Sequence, residues 1–245
     1  HELIQQYGPA FFMSIVDLSL PDAMDGEAVD LTLTHRIPTI VFTARFEAQL
    51  RDDILAKGAI DYVIKSDRAI EELGDLSRRL MLNRDVGVLV VEDSLALREM
   101  IKQMLNAYMF KVHAVSSAKA ALRVLERNPD IAVVITDFEM PGMDGLELTR
   151  QLRAKASRQE LAIIGISSHA DNDVPINFIK CGADDFIRKP FEREALYTRV
   201  VSKVENLELI NQLTKVNSLK DRLLAMAAHD LRNPIGAVKG LSEFM

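Results

Sequence analysis

The chain has a single cysteine, Cys181, so no internal disulfide can brace it. That usage suits a reducing compartment, and a cytoplasmic setting is expected. No apolar run approaches the roughly 20 residues that a membrane-spanning helix needs, so no membrane span is expected. No signal peptide is expected from the opening residues. Positive charge is in deficit: 30 Lys and Arg against 36 Asp and Glu leave a formal net charge of -6. That balance argues against nucleic acid as a direct partner. The chain begins at His1, and Met245 falls inside a helical pattern, so both ends are expected to be cut. What is present is ordinary globular composition, 48% hydrophobic and 27% charged, over 245 residues. That length suffices for one large domain or two smaller ones, each with its own core.

The most informative stretch is Ala132-Val133-Val134-Ile135-Thr136-Asp137, followed by Phe138-Glu139-Met140-Pro141-Gly142. A short run of small and β-branched residues reads as a fully buried strand, and Met-Pro-Gly stops it. Asp137 then stands at the strand's C-terminal end, the edge where open α/β sheets place their chemistry. Taken alone, an aspartate there more often caps a βα turn.

Around it, residues 86–205 alternate strand and helix. Val86 to Val91 ends in Glu92-Asp93-Ser94; strands follow at 111–115, at Asp137 and at Leu161 to Ile166, and the stretch Gly182 to Phe191 completes the cycle. Helices fall near 95–107, 117–128 and 146–155. Five strands alternating with helices predict an α/β fold with a doubly wound, five-stranded parallel sheet of order 2-1-3-4-5.

Residues 1–83 repeat the second half of this unit. Gly58-Ala59 and Gly182-Ala183, Lys65 and Lys189, and Thr43 and Ser167 are each 124 residues apart, and Asp17 and Asp137 are 120 apart. A tandem duplication is expected, with the first copy lacking any counterpart of Val88 to Ser94. Such a half-sheet would expose an apolar edge. Asn83-Arg84-Asp85 reads as the joint between the copies.

Glu92, Asp93, Asp137, Ser167 and Lys189 all fall at or just past strand C-terminal ends. In a 2-1-3-4-5 sheet the first and third strands are neighbours, so Asp93 and Asp137 converge. Three crowded carboxylates repel one another unless a cation intervenes, and Mg²⁺ suits them because it takes few carboxylates and accepts phosphate oxygens. Lys189 can neutralise a transferred phosphoryl group, Ser167 can hydrogen-bond it, and a carboxylate can be the nucleophile. A flavin- or nucleotide-binding protein of this topology would need a phosphate-cradling glycine loop, and Val91-Glu92-Asp93-Ser94 stands in its place.

These residues, with Gly142-Met143-Asp144-Gly145 and Gly182-Ala183-Asp184-Asp185-Phe186-Ile187-Arg188-Lys189-Pro190-Phe191, resemble the receiver domain of bacterial two-component response regulators, flavodoxin-like in fold. The resemblance implies that Asp137 is the phosphoacceptor and that Glu92, Asp93, Asp137 and the backbone carbonyl of Glu139 hold Mg²⁺. It implies Ser167 as the switch hydroxyl, Lys189 as the phosphoryl partner and Phe186 as the aromatic that moves with Ser167; on residues alone Phe186 is equally a core aromatic. Residues 1–83 look like the second half of another receiver, with Asp17 as a second phosphoacceptor in a longer parent. That half departs from the pattern in having Ser66 after Lys65 and no acidic pair.

From Glu192 to Asn233 there is neither glycine nor proline, so one long helix is expected. Leu209, Leu213, Val216, Leu219, Leu223 and Met226 form one apolar stripe along it. A parallel coiled-coil homodimer through residues 206–245 would cover the stripe; packing back on the receiver is the alternative. The stripe runs into Ala228-His229-Asp230-Leu231-Arg232-Asn233-Pro234, which resembles the first helix of a sensor histidine kinase dimerisation and phosphoacceptor domain. That resemblance implies His229 as phosphoacceptor, Asp230 orienting it or taking its proton, and Asn233 positioning water. It also implies an ATP-binding domain beyond Met245, without which the chain cannot phosphorylate itself.

The expected function is two-component phosphorelay. An upstream histidine kinase or phosphotransfer protein charges Asp137, the receiver regulates the kinase bearing His229, and a downstream response regulator receives the output. The alternative is a pair of unphosphorylated pseudo-receivers serving as a dimerising scaffold.

Overall fold

A computed structural model describes the whole chain apart from residues 1, 8, 9, 21, 22, 24, 25, 45, 46, 169–172 and 243–245, and only the backbone of residues 2, 3, 5, 48 and 227–242. The N-terminal unit comprises α1 (Glu2–Tyr7), β1 (Ser14–Val16), α2 (Glu27–Thr34), β2 (Thr39–Thr43), α3 (Ala48–Ala56), β3 (Asp61–Ile64) and α4 (Ala69–Asn83). Its three strands form a parallel sheet in the order β1-β2-β3. The second unit comprises β4 (Gly87–Val91), α5 (Leu95–Ala107), β5 (Lys111–Val115), α6 (Ala118–Arg127), β6 (Ile131–Asp137), α7 (Gly145–Lys155), β7 (Ala162–Ser167), α8 (Asp173–Cys181), β8 (Asp185–Arg188) and α9 (Arg193–Ser242). Its sheet is parallel, in the order β5-β4-β6-β7-β8, which is the expected 2-1-3-4-5.

Alternation along each strand divides the core into two layers. Val88, Val90, Val133, Ile135, Ile164 and Ile166 pack on one face with Ile101 and Leu105 of α5 and Leu196, Val200 and Val204 of α9. Leu89, Val91, Val134 and Ile163 pack on the other with Leu148, Leu152 and Phe178. Gly165 has to be glycine for this second layer, since a Cβ there would lie 2.6 Å from the Phe178 ring. Both faces are covered, so β4 and β7 are buried along their whole length and read as continuous apolar runs.

The first of these layers continues into the N-terminal unit, taking in Ile40, Ile60, Val63, Leu73 and Leu80. Polar contacts fasten the same seam. The Arg193 guanidinium donates to the carbonyls of Ala59, at 2.7 Å, and Ile60. It also lies 5.0 Å from the centre of the Tyr108 ring. Tyr108 stacks on Tyr197 with centroids 3.6 Å apart, and its carbonyl accepts from Asn83 Nδ2 at 2.9 Å. Arg79 of α4 bridges Glu205 and Glu208 of α9 at 2.7 and 3.1 Å.

Among the described residues, β1 pairs with β2 alone. Ile15 of β1 is 48% exposed, whereas Ile135, 120 residues later, is 0% exposed beneath β4 and its helix. The β1 pairing with β2 runs from Ser14 to Val16.

Helix α9 is longer than the glycine- and proline-free run, passing Pro234 to reach Ser242. A proline removes one hydrogen bond from the ladder, which can kink a helix without ending it. Leu196, Val200, Val204 and Leu207 are buried, while Leu209, Leu213, Val216, Leu219, Leu223 and Met226 are each more than half exposed.

Burial, with the neighbouring Tyr108 second, pushes the Tyr197 hydroxyl up to about 12. The unfolded phenol ionises near 10, so stability is intact below that pH and is lost as pH rises towards 12. Tyr197→Phe is expected to remove this loss, leaving the variant roughly 2 kcal/mol less alkali-sensitive by pH 12. Denaturant midpoints between pH 9 and 12 measure the difference.

Candidate functional site: a carboxylate cluster at the sheet edge

Parallel pairing brings the ends of four elements to one edge. Asp137, the last residue of β6, pairs with Ile166 of β7, and Ser167 pairs with Arg188 of β8. The Lys189 amide then donates to the Ser167 carbonyl at 2.9 Å. β4, on the other side of β6, delivers Glu92 and Asp93. Glu92, Asp93 and Asp137 each present a carboxylate oxygen, all within 4.8 Å of one another, the one such acidic group among the described residues.

Glu92 is 1% exposed and Asp137 6%, whereas Asp93 opens to solvent. The Lys189 ammonium lies 2.8 Å from Glu92 Oε2 and 2.9 Å from Asp137 Oδ1. Burial pushes the Asp137 carboxyl above the usual carboxylate range, against the pull of Lys189. Glu92 is raised for the same first reason. One ammonium among three carboxylates leaves net negative charge at a partly dry site. This donor set of oxygens fits a hard divalent cation such as Mg²⁺.

The loop after Asp137 turns tightly into α7. Asp144 caps α7 by accepting from the Glu147 amide at 2.7 Å. Gly145 approaches the Asp137 backbone so closely that a Cβ would lie 2.1 Å from its carbonyl oxygen. Glu139 stands exposed in this loop. Ser167 is buried at the same edge, and Phe186 packs 5.7 Å, centroid to centroid, from Phe178 in the second core layer. The side chains of His229, Asp230 and Asn233 lie outside the described residues; their backbone belongs to α9.

Sequence reading passed over Arg98. Its Nη1 donates to the main-chain carbonyls of Glu92 at 2.7 Å and Asp93 at 3.1 Å. The signal was an arginine in the first turn of α5, where the helix dipole disfavours a cation.

The N-terminal unit carries a reduced version of the same edge. The Lys65 amide donates to the Thr43 carbonyl at 2.7 Å, as Lys189 does to Ser167, and Lys65 Nζ pairs with Asp17. That hydrogen bond, first among the causes, holds the Asp17 carboxyl below its ordinary value.

A parallel five-stranded α/β unit with an acidic trio and a lysine at its switch point is a receiver-type phosphoacceptor fold. Residues 88–201 match the family described as response regulator receiver domain. Two-component response regulator ORR11 of Oryza sativa subsp. indica is 35% identical over 120 residues, covering 48% of this chain and 79% of the relative. Hybrid signal transduction histidine kinase D of Dictyostelium discoideum is 27% identical over 223 residues, covering 74% of this chain, which spans 14% of that protein's length. A crystal structure of a two-component system response regulator/GGDEF domain protein superposes with TM-score 0.78 at 39% identity, covering 84% of this chain and 85% of its own. This chain belongs to the response regulator receiver family. Proteins of the family bind Mg²⁺ at such an acidic site and exchange phosphoryl groups with histidine kinases or phosphotransfer proteins. Among the described residues no helix is long and apolar enough to cross a membrane.

Asp93→Asn is expected to weaken Mg²⁺ binding at least tenfold, by roughly the margin lost when a metal ligand or its support is removed, without changing the far-UV circular dichroism. Titration calorimetry with MgCl₂ measures it. Gly145→Ala, forced against the Asp137 backbone, is expected to destabilise the fold by about 1–3 kcal/mol in urea unfolding.

Proposed function

We propose that the chain is the input end of a cytoplasmic hybrid histidine kinase. Its complete receiver accepts a phosphoryl group on Asp137 and thereby regulates the kinase segment that begins in α9. The observation that carries this reading is the buried Asp137 carboxylate, flanked by Glu92, Asp93 and Lys189, in a unit whose last helix continues to His229.

In the proposed chemistry an Asp137 oxygen attacks phosphorus, the bond to the donor's leaving group breaks, and an acyl phosphate remains. Mg²⁺ held by Glu92, Asp93, Asp137 and the Glu139 carbonyl would supply charge neutralisation. Lys189 moves from its present carboxylate partners onto a phosphoryl oxygen, and the Ser167 hydroxyl donates to another. Phe186 repacks as Ser167 is drawn in, altering the β8–α9 corner.

His229 is the proposed phosphoacceptor of the kinase segment, with Asp230 orienting it and Asn233 positioning water. Asp137 does not exchange phosphoryl groups directly with His229 of its own chain in this arrangement. They are kept apart by 36 residues of helix from Arg193, about 54 Å at roughly 1.5 Å per residue. Communication is mechanical, along α9. The exposed stripe from Leu209 to Met226 supports a parallel homodimer through residues 206–245. We assign residues 1–83 to a second receiver-like unit, 86–205 to the complete receiver and 206–245 to the coiled coil and phosphoacceptor helix. The likeness to the response regulator/GGDEF structure covers 84% of the chain, well beyond residues 88–201, and supports a tandem.

A second reading, an unphosphorylated scaffold, applies to the N-terminal unit as it stands. Asp17 is engaged by Lys65 and belongs to no acidic group among the described residues.

Incubation with Mg²⁺ and acetyl phosphate is expected to add the mass of one phosphoryl group, mapped to Asp137 and absent from Asp137→Asn. A folded wild type that gains no mass refutes the proposal. Ending the chain after Glu208 is expected to give a monomer by sedimentation; a dimer of unchanged strength moves the interface elsewhere.

A further inference from the structure

The β4–α5 loop must do something costly: it holds Glu92 and Asp93 close to Asp137 although all three carry carboxylates. Lys189 pairs with Glu92 and Asp137. The loop's main chain is tied from several directions. The Glu92 amide donates to the Val115 carbonyl at 3.1 Å, and the Ser94 amide to Glu92 Oε1 at 3.1 Å. The two carbonyls of the acidic pair are both taken by one group, Arg98 Nη1, at 2.7 and 3.1 Å. Arg98 is itself anchored, its amide donating to the Ser94 carbonyl at 2.9 Å.

Position makes this contact informative. A cation in the first turn of a helix opposes the macrodipole, and the first turn of α5 has no acidic residue to offset it. Charge-assisted hydrogen bonds to two consecutive carbonyls give the side chain a reason to be there. With both carbonyl oxygens drawn to Arg98, rotation of the Glu92–Asp93 backbone is restricted, and rotation is what would let the mutually repelling carboxylates separate.

We propose that Arg98 is a positioning residue for the divalent-cation site. It holds the β4–α5 loop so that Glu92 and Asp93 stay within coordinating reach of Asp137, and it contacts neither the cation nor the phosphoryl group. The inference rests on the Mg²⁺ reading of the cluster given above. Groups that orient metal ligands in this way change metal affinity about 10–100-fold when removed.

The test uses the full chain and MgCl₂ in titration calorimetry, at a temperature well below each protein's unfolding midpoint in EDTA. Arg98→Met keeps the apolar stem and removes the donors; Arg98→Lys keeps a cationic donor. Arg98→Met is expected to bind Mg²⁺ at least tenfold more weakly than wild type while folded, and Arg98→Lys to recover part of the loss. Wild-type affinity in Arg98→Met overturns the proposal, even if its midpoint in EDTA falls, because the arginine then only braces the fold. If Arg98→Met does not fold, Arg98→Lys decides, since affinity below wild type supports positioning and unchanged affinity overturns it. A wild type that binds no Mg²⁺ removes the cation reading itself, before any variant is compared.

Discussion

The Lys189 ammonium sits 2.8 Å from Glu92 and 2.9 Å from Asp137, and the arrangement of the second unit follows from having to assemble that contact. Glu92 comes from the end of β4, Asp137 from β6 and Lys189 from just beyond β8, three segments distant in sequence. Only a parallel sheet brings their C-terminal ends to one edge, and only the 2-1-3 order puts β4 beside β6. Burial raises both carboxyls, so the site is held under electrostatic tension that a cation or a transferred phosphoryl group would redistribute.

Helix α9 connects this site to the rest of the molecule by using different faces for different tasks. Leu196, Val200, Val204 and Leu207 face the sheet. One residue on, Tyr197, Glu205 and Glu208 meet Tyr108 and Arg79, so the neighbouring face holds the N-terminal unit. Leu209 begins the exposed stripe two residues after Leu207, roughly 200° further round at 3.6 residues per turn. A partner helix on that stripe would therefore approach from the side away from the sheet. Arg193, four residues after Lys189, grips the N-terminal unit.

The two units show what a shared pattern does and does not carry. Gly58 and Gly182 adopt φ of 108° and 105°, and each is followed by a strand and a lysine whose amide bonds the preceding strand. The local geometry at the two sheet edges is thus alike. Its surroundings differ, because β6 has β4 beside it, whereas among the described residues β1 pairs with β2 alone. Asp17 is half-buried, its carboxyl lowered first by the hydrogen bond from Lys65, and Asp137 sits in a crevice with a carboxyl raised by burial.

Much of this was legible in the residues themselves. Strand-length apolar runs ending in Asp93 and Asp137, with a shorter mixed strand before Lys189 and helices between, determine an alternating α/β fold and point to a candidate site, because burial on both faces and the turn chemistry at strand ends are local properties. The glycine- and proline-free stretch from Glu192 determines a long helix in the same way. Tertiary structure alone decided which groups that spacing cannot pair. Arg98 clasps the carbonyls of Glu92 and Asp93, Tyr108 stacks on Tyr197, and Arg193 reaches the carbonyls of Ala59 and Ile60. Main-chain carbonyls carry no signature in sequence, and rings 89 residues apart meet only once two helices have docked. The residues determined the strands and the chemistry at their ends; packing decided which helix face meets what, since that depends on distances no local pattern encodes.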